Sequence, residues 1–125
     1  MVPEAVMKST GADFEDRATT MIKEQGLKVL ERNFSGKTGE IDIIAQEGEQ
    51  LIFVEVRGRS NPLFNSAAGS VDRRKQQRLL RTAQLYLQRH PQMANMPCRF
   101  DVIAFEPPQS RSNARIRWIR GAFTA

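Results

Sequence analysis

Apolar residues recur along this chain with two periods, and the switches between them mark its elements. In residues 11–25, Phe14, Ala18, Met21 and Ile22 follow the three-to-four spacing of one helix face, and Gly26 is a plausible left-handed stop behind them. Leu27 to Phe34 alternates as a strand does, with Leu27 and Val29 on one side and Leu30 and Arg32 on the other. Asn33 to Lys37 then has the vocabulary of a turn. Residues 39–59 hold two β-branched runs, GEIDIIAQ and LIFVEVRGR, around the polar break EGEQ, which is a hairpin signal. Helical spacing returns with Val71, Leu79, Leu80, Ala83, Tyr86 and Leu87, for which Ser70 is the expected N-cap and His90-Pro91 the close. Cys98 to Phe105 alternates again, and Ala114 to Arg120 forms a last strand with Ile116 and Trp118 on one face. The order helix, strand, hairpin, helix, strand, strand predicts an α/β fold in which a mixed five-stranded sheet is flanked by two main helices.

The hairpin fixes a register. A two-residue turn at Gly48-Glu49, with Gly first as type II′ prefers, sets Glu47 opposite Gln50, Asp42 opposite Glu55 and Glu40 opposite Arg57. Period two puts Ile44 and Phe53 on the side of these charges, and Ile41, Ile43, Ile52, Val54 and Val56 on the other. One face is thus uniformly apolar, and the other is apolar near the turn and charged at the open end, so both are expected to be covered. Two carboxylates set face to face repel each other. A divalent cation, Arg57 or protonation of one acid would relieve that cost; a wet face or a bulge that parts the acids would remove it without any site.

Asp42, twelve residues, then Glu55-Val56-Arg57 is similar to the D…(D/E)-x-K core of the restriction-endonuclease-like nucleases. The longer blocks GEIDIIA, LIFVEVRGRS and RFDVIAF, in that order, resemble the YraN family of small bacterial proteins, whose fold resembles archaeal Holliday-junction resolvases. The likeness covers roughly residues 11–123. It implies a restriction-endonuclease-like core and a metal-dependent phosphodiesterase acting on DNA, branched or junction DNA included. Asp42 and Glu55 would then hold Mg²⁺ or Mn²⁺, which oxygen ligands favour over Zn²⁺, and the carbonyl of residue 56 could add a ligand. The family's helical G…E..A pattern matches Gly11, Glu15 and Ala18. Composition alone reads Glu15 as a solvated helix residue; the resemblance makes it a third acidic group of the catalytic set.

The departure lies at Arg57, where the nuclease pattern has Lys. Arginine does not give up its proton near neutral pH, so it is no general base. It can hold a phosphate oxygen with two hydrogen bonds and stabilise developing negative charge. Arginine here equally suits a protein that binds nucleic acid without cutting it.

Length and charge narrow the setting. The 125 residues fit one domain, read as a single endonuclease-like domain over 11–125 behind a flexible leader, 1–10, that lacks periodicity. Net charge is +5 and pI about 10.0, which favours polyanionic partners. Six basic residues and one acid fall between Ser70 and His90, which accounts for the whole excess; the remainder balances. Arg74, Arg78 and Arg81 share a helix face that lacks acids to pair with, and Lys75 sits on the edge of the apolar stripe, toward the acidic site. Arg59 and Phe64 lie in the loop that follows the hairpin. Arg59, Arg74, Lys75, Arg78 and Arg81 are therefore candidate contacts to nucleic acid, with DNA favoured; a basic adaptor for an acidic protein is the competing reading of the same face. Arg32 and Lys37 read as phosphate contacts or as edge charges.

Cys98 has no partner for an internal disulfide and reads as core, Asp101 as a structural partner of nearby arginines, and Trp118 as core. No apolar run approaches the roughly 18–20 residues that span a bilayer, and MVPEAVMKST lacks the features of a signal peptide, so a cytoplasmic location without membrane contact is expected. Resolvase-like work on a two-fold junction would favour a homodimer.

Overall fold

The first helix of the described residues, α1 (Gly11–Glu24), stops before a left-handed glycine: Gly26 takes φ 87°. Its N–H donates to Lys23 O (3.0 Å) and that of Leu27 to Ile22 O (3.2 Å), the two bonds that close a helix on a left-handed residue. Leu27 is thereby buried at the entrance to β1 (Lys28–Gly36). Next come β2 (Gly39–Glu47), β3 (Gln50–Gly58), α2 (Arg73–Arg89), a short 3₁₀ turn (Pro91–Met93), β4 (Cys98–Phe105) and β5 (Ile116–Phe123). The computed structural model describes residues 11–58, 71–105 and 116–123. The leader at 1–10, Arg59, Phe64 and Ser70 lie outside them.

The strands lie in the order β1-β2-β3-β4-β5, and every neighbouring pair is antiparallel except β3 and β4, which are parallel. The parallel pair requires a crossover, and α2 lies within it. The architecture is the α/β arrangement expected, with a mixed five-stranded sheet and two helices among the described residues, consistent with a restriction-endonuclease-like core. α1 packs Ala18 and Ile22 with Ile43, Ala45, Ile52 and Val54, while α2 packs Leu79, Ala83 and Tyr86 with Ile44, Phe53 and Phe100. Since the two sets alternate along β2 and β3, the helices cover opposite faces. β3 is consequently buried from Leu51 to Glu55, which is why its text is apolar without interruption up to the acid. No helix among the described residues is long and apolar enough to cross a membrane.

The β2–β3 register is the one the turn dictates. Glu47 pairs with Gln50 and the ladder runs to Ile43 opposite Val54. Gly48 has φ 59° and Glu49 stays out of the left-handed region, as a type II′ turn needs. Beyond Val54 the expectation fails, because the ladder ends there and neither Asp42 with Glu55 nor Glu40 with Arg57 continues it. Ile41 also leaves the side of Ile43 and joins Phe34 in the cluster under α2. The change coincides with an irregularity in the neighbouring β1. Asn33 takes φ 56°, which Asn tolerates better than most residues, and a left-handed residue breaks strand alternation. An earlier irregularity between Val29 and Glu31 puts Arg32 opposite Ile43, so it turns toward α1 and not to the side of Leu30.

Other expectations need smaller corrections. The α2 N-cap is Asp72, not Ser70: its carboxylate accepts from Lys75 N–H at 2.9 Å. Cys98 is exposed, because it opens β4 at the rim and lies outside the core. β5 runs on to Phe123, and on it Ile116 is exposed while Trp118 is partly buried against the cluster under α1. Asp101 has the structural role assigned to it. It is 1% exposed and accepts four hydrogen bonds: two from Arg99 (2.9 and 3.1 Å), one from Trp118 Nε1 (2.9 Å) and one from Gly121 N–H (2.9 Å). His90 is the α2 C-cap, with Nδ1 2.8 Å from Tyr86 O and its ring stacked on Tyr86.

Candidate functional site

Where the β2–β3 ladder ends, a cleft of about 570 Å³ opens toward the first turns of α2. Its walls include Glu15 from α1, Asn33 from β1, Asp42 from β2, Glu55 and Arg57 from β3, and Lys75 and Arg78 from α2. With Arg32, which also lines it from β1, five elements contribute charge to one concavity.

The acids sit at its centre. Asp42 is half-buried, and its Oδ2 accepts from Val56 N–H at 2.8 Å, which takes over a backbone donor just past the end of the ladder. Glu55 is 5% exposed, with Oε2 3.1 Å from Lys75 Nζ and 3.6 Å from Arg57 Nη1. Lys75 can reach because Asp72 starts the helix three residues earlier, so that Lys75 falls on the first turn facing β3. Burial above all, then a hydrogen bond to Glu55 and the charge of Glu55, push the Asp42 carboxyl from its ordinary range up to about 8; Val56 N–H and the Lys75 ammonium act in the opposite direction. Two carboxyl groups too close to ionise together without help therefore occur even though the ladder does not pair them.

Such a pair is suited to a hard divalent cation. Its donors are all oxygen, one acid is short of positive charge, and the cleft gives access from solvent. Among the described residues no group of three His, Cys, Asp or Glu stands close enough to hold a metal, so the candidate protein set is Asp42 and Glu55. Glu15 does not join them. It is buried, against the composition-based reading, yet its Oε1 is occupied by Arg32 Nε (3.0 Å), Arg32 Nη2 (2.9 Å) and Asn33 Nδ2 (2.9 Å). Arg32 also binds Asp16 at 2.7 Å. Glu15 thereby ties α1 to the irregular end of β1 and builds the wall of the cleft.

The basic candidates divide. Arg57, Lys75 and Arg78 line the cleft. Arg81 lines a second one, of about 370 Å³, and Arg74 is exposed and lines neither. Arg59 is outside the described residues.

Sequence reasoning missed one residue of this wall and one residue behind it. One is Asn33, whose left-handed φ lets two consecutive side chains, Arg32 and Asn33, reach the same carboxylate. The signal available was Asn itself in a strand end. The other is Thr82, fully buried on the apolar stripe, which donates to Arg78 O (2.9 Å) and so accepts from the Thr38 hydroxyl (2.8 Å). This chain of hydroxyls fastens the β1–β2 turn to α2.

Comparison with known proteins matches the chain to one family over most of its length. The family described as "Uncharacterised protein family UPF0102" matches residues 14–105, from the Phe14 face of α1 to the end of β4. A UPF0102 protein of Alcanivorax borkumensis is 46% identical over 116 residues, covering 93% of this chain and 92% of that one. One from Hahella chejuensis is 46% identical over 114 residues, covering 91% and 89%. One from Pseudomonas paraeruginosa is 37% identical over 125 residues, the full length of both. With the family matched across most of the chain and relatives aligned nearly end to end, the chain belongs to the UPF0102, or YraN, family.

Proposed function

We propose that the chain is a divalent-metal-dependent nuclease that hydrolyses phosphodiester bonds in DNA. The observation that carries the reading is the acid pair. Asp42, with its carboxyl raised to about 8, lies beside buried Glu55 in an open cleft whose remaining charge is largely basic. A structural ion pair would match each acid with a base, whereas here one acid is left with a deficit that a cation fills.

Asp42 and Glu55 would hold Mg²⁺ or Mn²⁺. When bound, the ion supplies the charge that polarises a phosphoryl group and acidifies water. The other groups act on the substrate directly. Arg57 presents a planar fork to a phosphate oxygen and keeps its proton throughout. Lys75 offsets the charge of Glu55 and adds a second cation near the scissile phosphate. Arg78, one turn further along α2, meets the adjoining phosphate. Glu15, Arg32 and Asn33 keep the wall in position, which is a positioning role.

Branched DNA is the first substrate to try, because the resolvase resemblance implies it, and a homodimer in the cytoplasm would offer two clefts to a two-fold junction. Arg57 in place of Lys favours a second reading, a protein that grips nucleic acid in this cleft without cutting it. Cleavage of labelled single-stranded, duplex, flapped and four-way DNA with Mg²⁺ or Mn²⁺, by wild type and Asp42→Asn, separates the two. Cutting by wild type alone supports the nuclease. Salt-sensitive binding without cutting supports the second reading, and equal cutting by both proteins overturns the assignment of Asp42.

A further inference from the structure

The second cleft is chemically unlike the first. It is lined by Lys37 and Thr38 from the β1–β2 turn and by Arg81, Gln84, Gln88 and Arg89 from α2, over the side chain of Leu85. No acid lines it. α2 itself carries no Asp or Glu over residues 73–89, so nothing on the helix can neutralise Arg81 and Arg89 at the usual three- or four-residue spacing. Among the described residues Lys37 and Arg81 make no ion pair, and the Arg89 guanidinium lies 5.7 Å above the Phe34 ring. Three cations and two amides therefore face one concavity of about 370 Å³ with no counter-charge among the described residues. Gathering like charges raises the energy of the folded chain, and an anion in the cleft removes that cost.

The two clefts are neighbours along one strip. Gly39 lines the first and Thr38 the second, and Arg78 lines the first while Arg81 lines the second. Between them runs the Thr38–Thr82 hydrogen bond of 2.8 Å that joins the turn to the helix. At about 1.5 Å per helical residue, Arg81 lies about 9 Å, and Arg89 about 21 Å, along α2 from Lys75. A strand of duplex DNA advances about 3.4 Å per nucleotide, so these distances correspond to about three to six nucleotides.

We propose that the cleft formed by Lys37, Arg81 and Arg89 is a second phosphate-binding subsite, which holds the DNA backbone three to six nucleotides to one side of the acid pair. The inference rests on the nucleic-acid reading of the first cleft and adds a direction to it. The strand enters at the acid pair and leaves over the β1–β2 turn, so contacts are asymmetric about the scissile phosphate. Lys37 and Arg89 take up phosphates, Arg81 bridges toward Arg78, and Gln84 and Gln88 donate to sugar or phosphate oxygens.

The test measures binding without cleavage. Fluorescence anisotropy of a labelled 20-base-pair duplex is followed in EDTA from 50 to 300 mM NaCl for wild type, Lys37→Ala/Arg81→Ala and the milder Arg81→Gln. All the substituted side chains are exposed. Circular dichroism establishes that each variant is folded. The double variant is expected to bind about tenfold more weakly at 100 mM salt, and its slope of log K against log salt to fall by about 0.9 for each cation removed. Arg81→Gln gives half the loss of slope, and Mn²⁺ binding is unchanged in both. If wild type binds DNA and the variants match it in affinity and slope, the subsite is wrong while the nucleic-acid reading stands. If wild type binds neither this duplex nor a four-way junction at any salt, both fail. If polyglutamate competes as well as DNA does and loses affinity in the same variants, the cleft belongs to an acidic protein and the subsite is overturned.

Discussion

Asp42→Asn should stabilise the metal-free protein at alkaline pH, although it removes a residue from the centre of the candidate site. The shape is conserved, and the amide oxygen can still accept from Val56 N–H, so only the ionisation is lost. In wild type the carboxyl titrates near 3.8 when unfolded and at about 8 when folded. Below pH 4 both states carry the proton. Between 4 and 8 only the folded chain keeps it, so stability falls as pH rises through that window, and the loss is complete above 8. At 1.36 kcal/mol per unit, the interval from pH 5 to 8 is worth at most about 4 kcal/mol. Solvent reaches this half-buried group from the cleft, and we expect about 2 kcal/mol to be observed. Urea denaturation in EDTA at pH 5 and pH 8 measures it. Wild type should lose about 2 kcal/mol more than the variant between the two, and the variant should be the more stable at pH 8. Added Mn²⁺ should reverse that order by stabilising wild type alone. Parallel pH profiles for the two proteins would refute the argument that the acids are in conflict.

Asp101→Ala strips four hydrogen bonds and leaves Arg99 without its buried partner, so a loss of about 3–5 kcal/mol in urea denaturation is expected, against little change if the network were peripheral. Lys75→Met removes the cation 3.1 Å from Glu55 and should cost about 1–3 kcal/mol in EDTA, with part regained on adding Mn²⁺; insensitivity to the ion would separate Lys75 from the metal site. Gly58→Ala puts a methyl group where the Phe14 ring lies, and Phe14 is packed on Phe105, so a thermal melt should report about 1–3 kcal/mol of destabilisation.

The hairpin was the most legible part of the chain because a turn and a period-two pattern determine it together. Gly48 sets the register from Glu47–Gln50 to Ile43–Val54, and the apolar text of β3 reports burial on both faces. The proximity of Asp42 and Glu55 follows from that register even though the ladder stops short of them. What was not legible depends on single backbone states or on distant partners. Beside the left-handed Asn33, Ile41 lies on the α2 side, away from Ile43, and no periodicity announces it. Glu15 reads as a surface residue until Arg32 and Asn33, 17 and 18 positions away, are brought to it. Ser70 and Asp72 are both good caps, and composition does not choose between them; the hydrogen bond to Lys75 N–H does. Cys98 has the composition of core but stands at a strand end, where burial is decided by the rim of the sheet.

Asp42 and Glu55 are proposed to bind a divalent cation, with Asp42 holding a proton until they do. Titration calorimetry with Mn²⁺ at pH 7, repeated in buffers of different ionisation enthalpy, measures both parts at once. With the Asp42 carboxyl titrating at about 8, we expect one ion per chain, release of close to one proton per ion at pH 7 and of almost none at pH 9.5, and no binding by Asp42→Asn. Binding that releases no proton, or that survives Asp42→Asn, would rule out a metal site built on a protonated Asp42.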